Sequence, residues 1–348
     1  MPQARRRPTS ADVAARAGVS RTTVSFVLNG RADVQIPLTT WRRVEEAARE
    51  LGYHPHGVAR QLAAGSSSTL GVVLRQSAEQ VAADALLSET LLGLTTAARS
   101  GGFRVIIEPL APGTGTYAEL LRSQQTDGLV VSGPLADDGE LSDLVSDGFP
   151  IVLQGSQPQV DAPSVDVDNR AGAQVAVEHL IGLGHRRIAC ITNAPLAYTS
   201  AVQRVAGYRD ALAAAGIEID EGLIVEGGFD AASGHRAMAG LLARAQPTAV
   251  FVASDVVAFG ALRALRDAGR RVPADVSIVG FDDIPLAEHF DPPLTTLRLP
   301  ARALGVSAGQ ALIDRVAGRP VPPRTLLPTQ LIVRESTAHI GTRQTGGP

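Results

Sequence analysis

The chain has 348 residues, 45% of them hydrophobic and 4% aromatic, with a formal net charge of −3. This length and hydrophobic content exclude a disordered or fibrous chain and allow two or three compact units, and no apolar run is long enough to span a membrane. The charge is uneven: residues 1–65 carry +5 and the remainder −8, so the head alone is suited to meet a polyanion, through contacts that weaken steeply with salt. The opening MPQARRRPTSAD is basic but has no apolar core after it, which argues against a signal peptide and for a cytoplasmic protein. A single Cys190 excludes an internal disulfide framework and a Cys-based zinc site. Lying in the apolar run IACIT, it reads as a buried, inert thiol.

In chain order, Thr9 or Ser10 can cap a first helix whose apolar positions Val13, Ala14 and Ala17 recur at helical spacing. Gly18 supplies a sharp turn, and Ser20 is placed to cap a second helix starting at Arg21. There Val24, Val27 and Leu28 form one stripe, while Arg21, Thr22, Ser25, Phe26 and Asn29 form another. One apolar face against helix one and one hydrogen-bonding face outward is what reading a DNA major groove requires. A third helix runs from about Leu38 to Leu51 and stops at Gly52. Pro55 ends the head, Gly57 to Ala64 can form a short helix that is marginal alone, and Gly65 to Ser68 reads as linker.

From Thr69 the pattern changes to short apolar strands: LGVVL (70–74), RVIIEPL (104–110), DGLVVSG (127–133), PIVLQGS (150–156), RRIACIT (186–192), TAVFVAS (248–254) and VSIVGF (276–281). Amphipathic segments at Glu89–Arg99, Gly172–Leu183, Arg204–Ala215 and Val256–Ala268 lie between them. The alternation implies parallel sheets covered by helices. Two blocks are visible, one ending near Asn193 and the other beginning near Ser200, and ligands are expected at the carboxyl ends of the strands. The tail after Val333 is expected to lack order. There is no GxSxG elbow, P-loop or HExxH motif, so neither catalysis nor a metal or cofactor is expected. His185 has no nearby nucleophile and is expected to brace the loop before a strand.

The stretches DVAARAGVSRTTVSFVLNG, LGYHPHGVARQLA, VDVDNRAGAQVAVEHLIGLGHRRIA, RVAGYRDAL and SIVGFDDIPLAEHFDPPLTTL resemble the lactose-repressor/galactose-repressor family of bacterial transcription regulators, from about Ser10 to Ser336. The resemblance implies a helix-turn-helix DNA-binding head at 1–55, a hinge helix and linker at 56–68, and a core at 69–336. That core would be periplasmic-binding-protein-like, with two interleaved, Rossmann-like parallel-sheet subdomains that bind an effector and dimerise. Residues 337–348 would form a disordered tail. Partners would be a two-fold symmetric operator, a small-molecule effector of sugar type, and a second copy of the chain. The reading from a different class is a stand-alone sugar receptor, against which the basic head argues.

By position, Arg21 and Thr22 would face base edges, with Arg21 favouring guanine, and Ser20, Thr23 and Ser25 would contact phosphates. Phe26 departs from the lactose repressor, which has Arg there; a phenyl ring can touch a thymine methyl but cannot hydrogen-bond to a base. Val58 to Ala63 would be the hinge helix, with Val58, close backbone contact at Ala59, and Leu62 as the wedge between central base pairs. Leu62→Ser is therefore expected to weaken operator binding in a gel-shift assay far more than it weakens folding; unchanged affinity would contradict the wedge. The resemblance also implies an effector pocket anchored by Arg204 and Asp282, with Phe229 stacking on the ligand and Ser132, Gln154, Tyr198, Ser200 and Ser254 around it. Arg75 would either enter this pocket or be exposed, Asp283 would cap a turn, and the segment AEQVAADALLSE is longer than is usual for the family.

Overall fold

A computed structural model describes residues 8–28, 34–53, 67–114, 116–122 and 126–341. The chain divides into two compact units at Ser67/Ser68. In the first, α1 (Ser10–Ala17) begins with a capping box in which Thr9 and Asp12 satisfy each other's backbone N–H groups. It ends at Gly18, whose φ of +65° is the left-handed turn that a side chain would strain. Ser20 Oγ accepts from Thr23 N at 3.1 Å and so starts α2 (Arg21–Leu28). With α3 (Leu38–Leu51), these helices bury one small core of Val13, Ala14, Ala17, Val24, Val27, Val44, Ala47 and Ala48. Asn29 and the expected hinge residues Val58, Ala59 and Leu62 lie outside the described residues.

The second unit holds two parallel sheets. The first runs β2 (Arg104–Pro109), β1 (Thr69–Leu74), β3 (Gly128–Ser132), β4 (Ile151–Gln154), β5 (Ser164–Val167) and β11 (Arg324–Leu327). The second runs β7 (Ile224–Val225), β6 (Ile188–Ile191), β8 (Ala249–Val252) and β9 (Ser277–Val279). An antiparallel pair, β10 (Thr296–Arg298) with β12 (Gln330–Ile332), accompanies them. Each sheet buries apolar side chains on both faces, as the continuous apolar strands require. The break expected between Asn193 and Ser200 lies instead after Val167, because β6 sits inside the second sheet, between β7 and β8. The chain also returns to the first sheet through α12 (Ala301–Val316) and β11, then crosses back.

Helix pairs cover these sheets at unusually short range. Helix α8 (Asn169–Gly182) meets α9 (Thr199–Ala214) where Gly207 lies against the Arg170 carbonyl. Helix α5 (Leu87–Ser100) meets α12 at Gly93 and Gly305, each against the other's backbone. The tail contradicts its expected disorder as far as Gly341. Ser336 is fully buried: its Oγ donates to the Ile278 carbonyl (2.7 Å) and accepts from Thr295 N (2.8 Å). Ile340 N donates to the Leu183 carbonyl at 3.0 Å. Loss of these bonds would leave buried polar groups of the second sheet unpaired, which is why the segment stays docked. His185 joins the same seam, 3.1 Å from Thr248 Oγ1, Ser277 Oγ and the Ala338 carbonyl, and burial pulls its pKa down.

Candidate functional site

On the head, Ser20, Arg21, Thr22 and Ser25 are exposed, Thr23 and Phe26 are half-buried, and Val24 and Val27 are buried. Of the second stripe of α2, Arg21, Thr22 and Ser25 therefore face outward and Phe26 partly so. The cap engages Ser20 with Thr23, whose hydroxyls lie 2.9 Å apart.

In the second unit an open cleft of about 1100 Å³, counting the space at its mouth, lies between the sheets. Parallel strands all deliver their carboxyl ends to one edge, so residues far apart in sequence converge there. Ser132 and Gln154 end the paired strands β3 and β4. Asp166 comes from the end of β5 and Asn169 from the start of α8. Across the cleft stand Asn193 beyond β6, Phe229 beyond β7, Ser254 beyond β8 and Asp282 beyond β9, with Ser200 and Arg204 on α9.

Arg204 is almost fully buried. Its Nε donates to Asn169 Oδ1 (2.9 Å), its Nη1 donates to the Ala253 carbonyl (2.5 Å) and lies 3.6 Å from Asp282 Oδ1, and its guanidinium stacks 3.8 Å above the Phe281 ring. Burial pulls its pKa down, while neighbouring Asp282, Asp166 and Asp255 pull it back up. The carboxylates pay for burial in the opposite direction. Asp282 is pushed up to about 6 by desolvation, although Arg204 and a hydrogen bond from Ser254 oppose this. Asp166 is likewise pushed up to about 6. Fully buried Asp255 is driven well above the ordinary carboxylate range, and it accepts from Thr296 Oγ1 (2.6 Å) and Ile284 N (3.1 Å).

Two cleft residues have backbones in the left-handed half of conformational space, Phe229 at φ +70° and Asp282 at φ +128°. Such residues store on the order of 1–3 kcal/mol of strain, held here by surrounding bonds. Asp282 N donates to the Leu297 carbonyl (2.7 Å) and its carbonyl accepts from Leu299 N (3.1 Å); Phe229 N donates to the Asn193 carbonyl (2.9 Å). Two residues that line the cleft carry a buried side-chain oxygen without a protein partner, Gln154 Oε1 and Asn193 Oδ1.

Seven of the eight residues expected around an effector line this cleft: Ser132, Gln154, Ser200, Arg204, Phe229, Ser254 and Asp282. Tyr198 does not. Its hydroxyl donates to the Arg75 carbonyl (2.5 Å), and its ring meets Phe229 edge-on at 4.9 Å, so it buttresses Phe229 from behind. Arg75 is neither in the cleft nor exposed: buried, it donates to the Leu110 carbonyl (3.2 Å) and stands 3.6 Å from Asp138. Asp283 is ion-paired with Arg298 (2.6 Å) and Arg334 (2.8 Å). Asp84, Asp166, Asn169 and Asn193 are cleft residues that sequence reasoning missed. Asp84 belongs to the long segment after β1, whose short helix α4 (Ala78–Ala83) puts Gln80 and Asp84 at the cleft; the length of that segment was its signal. Cys190 is fully buried and its thiol is pushed up to about 12. Among the described residues no group of three or more His, Cys, Asp or Glu could hold a metal ion, and no helix is long and apolar enough to cross a membrane.

A three-helix head with an exposed polar recognition face, joined to a core with a strand-end cleft, defines a DNA-binding regulator that senses a small molecule. Residues 9–56 match the model of bacterial regulatory proteins of the lacI family, and residues 177–337 match the periplasmic binding protein-like domain. The chain is 40% identical to the HTH-type transcriptional regulator CelR of Thermobifida fusca, over 95% of this chain and 99% of that one. It is 36% identical to the HTH-type transcriptional repressor CytR of Escherichia coli K12, over 94% and 96% of the two chains. Among solved structures, a complex of CelR with cellobiose superposes with a TM-score of 0.72 at 38% identity, covering 95% of this chain and 100% of that one. A Lac repressor dimer bound to operator and the anti-inducer ONPF does so with a TM-score of 0.84 at 32% identity, covering 96% and 100%. The chain belongs to the LacI family of bacterial transcription regulators and is a ligand-responsive DNA-binding regulator.

Proposed function

We propose that the protein is a dimeric repressor of a sugar-related catabolic operon, with its effector held in the cleft and its operator read by α2. The observation that carries this reading is the convergence of Arg204, Asp282, Ser200, Ser254 and Phe229 on one cleft. A guanidinium, a carboxylate and hydroxyls can hold vicinal sugar hydroxyls by donating and accepting together, with the Phe229 ring against a sugar face. Arg21, Thr22 and Phe26 would read base edges while Ser20, Thr23 and Ser25 set register, with Asn29 on the same DNA-facing stripe; Val58, Ala59 and Leu62 would act at the operator centre. Closure of the cleft changes the spacing of the two hinge segments in a dimer, which links the two sites.

The test is a thermal-shift screen of sugars and nucleosides, with cellobiose included because it is bound in the CelR complex, followed by operator binding with each hit. Removing residues 1–65 is expected to abolish operator binding and to leave ligand stabilisation intact. A truncated protein that loses both, or a full chain that no sugar stabilises, contradicts the assignment.

A further inference from the structure

The charge of the cleft is set before any ligand arrives. Its charged lining consists of Asp84, Asp166, Asp282 and the single guanidinium of Arg204, a formal excess of two negative charges. Nε and Nη1 of Arg204 are already engaged by Asn169, the Ala253 carbonyl and Asp282, so its single positive charge faces an anion beside three carboxylates. Asp84 lies on α4's side of the cleft, and one of its oxygens, Oδ1, takes the N–H groups of both Leu86 (2.9 Å) and Leu87 (3.1 Å). A carboxylate has about four acceptor sites, and its second oxygen has no other partner among the described residues. Asp84 and Asp282 feel each other electrostatically, since Asp84 raises the pKa of Asp282. An independent feature of the lining is a shortage of donors: Asn193, only 8% exposed, and Gln154 across from it each carry a buried amide oxygen with no partner.

We propose that Asp84 is a specificity-determining residue that makes the cleft selective for a neutral, hydroxyl-rich effector and rejects its anionic counterparts. This rests on the reading of the cleft as a sugar site. Hydroxyl donors placed between Asp84 and Asp282 satisfy both carboxylates at once. A carboxylate or phosphate placed there instead meets two carboxylates of its own sign, in a partly desolvated space where like charges repel most strongly.

Calorimetric titration of the full-length protein compares glucose, galactose, cellobiose and maltose, each against the uronate in which a CH2OH has become a carboxylate. For at least one neutral sugar that binds, its uronate is expected to bind at least tenfold more weakly. Asp84→Asn keeps the acceptor for the Leu86 and Leu87 amides, as Asn caps helices about as well as Asp, so its melting temperature serves as the folding control. It is expected to weaken the neutral sugar about tenfold, the scale of a lost charged hydrogen bond, and to narrow the neutral-to-uronate ratio at least threefold. A uronate that matches or exceeds its neutral parent in the wild type overturns the selectivity, with the sugar reading left standing. An unchanged ratio and unchanged neutral affinity in Asp84→Asn overturn the role of Asp84. If no member of any pair binds, the sugar reading falls and this inference falls with it.

Discussion

Arg204→Met is expected to lower the unfolding midpoint of the unliganded protein by roughly 6–10 °C at pH 7.5 and to abolish its response to effector. Breaking a buried charge cluster from one side costs about 3–5 kcal/mol, and in a domain of this size each kcal/mol moves the midpoint by about 2 °C. Methionine replaces the volume over the Phe281 ring but leaves Asp166, Asp255 and Asp282 without their common cation. The loss should depend on pH, and its sign follows from the carboxylates. Asp166 and Asp282 have pKa values raised to about 6 with Arg204 in place. A carboxyl whose folded pKa is raised binds its proton more tightly folded than unfolded, so stability falls as pH rises from the ordinary carboxylate range through that value. Without Arg204 these pKa values rise further. The variant's deficit should therefore be largest above pH 6 and shrink towards pH 5, where both carboxyls are protonated. Melting curves of the two proteins at pH 5, 6, 7 and 8 decide the matter. A deficit that does not change with pH would mean that Arg204 acts through packing on Phe281.

Gly207→Ala tests the scaffold beneath the same residue. A Cβ at Gly207 would stand 2.0 Å from the Arg170 carbonyl oxygen and 3.0 Å from Ala173 Cβ, so α8 and α9 must separate. Alanine gains about 1 kcal/mol of helix propensity, yet overpacking two backbones costs about 1–3 kcal/mol, and net destabilisation is expected. The functional effect is larger. Arg204 precedes Gly207 by one turn of α9, and its partner Asn169 opens α8, so separation stretches the 2.9 Å bond that aims the guanidinium. A displacement near 1 Å at a binding group is enough to expect at least a tenfold loss of effector affinity. Operator binding without effector should persist, because the head is a separate compact unit. Gly182→Ala, at the far end of α8 where nothing lies within 4 Å, is the matched control and should be neutral or slightly stabilising. Calorimetry and gel shift on the three proteins check this. Effector affinity unchanged in Gly207→Ala would sever the proposed link between helix spacing and the cleft.

Much of the fold was legible because it is written locally. The head's caps, its Gly18 turn and its apolar stripes each lie within a few residues of what they act on, and all three helices fall where the pattern places them. The seven apolar strands were legible for the same reason. Helices α10 (Ala231–Arg244) and α12 were missed, although Ala237, Met238 and Leu241 on the first and Leu304, Ala308 and Leu312 on the second are buried at helical spacing. Strands β5, β10, β11 and β12 escaped as well, as did the two-residue β7. They are two to four residues long, and all but β5 pair only with strands 30 to 160 residues away, so no local pattern announces them.

The chain's own letters determined the kind of molecule: a basic helix-turn-helix head, a strand-and-helix body, and a resemblance strong enough to place Arg204 and Asp282 opposite a ligand. Tertiary structure decided what those residues do there. It brought Asp84, Asp166 and Asn193 to the same cleft, turned Tyr198 away from it to hold Arg75 and Phe229, and docked the tail at Ser336. The reason is physical. Capping, turning and amphipathicity are short-range properties of sequence, whereas burial, charge balance and the pKa of a carboxylate depend on groups that only folding brings within a few ångströms.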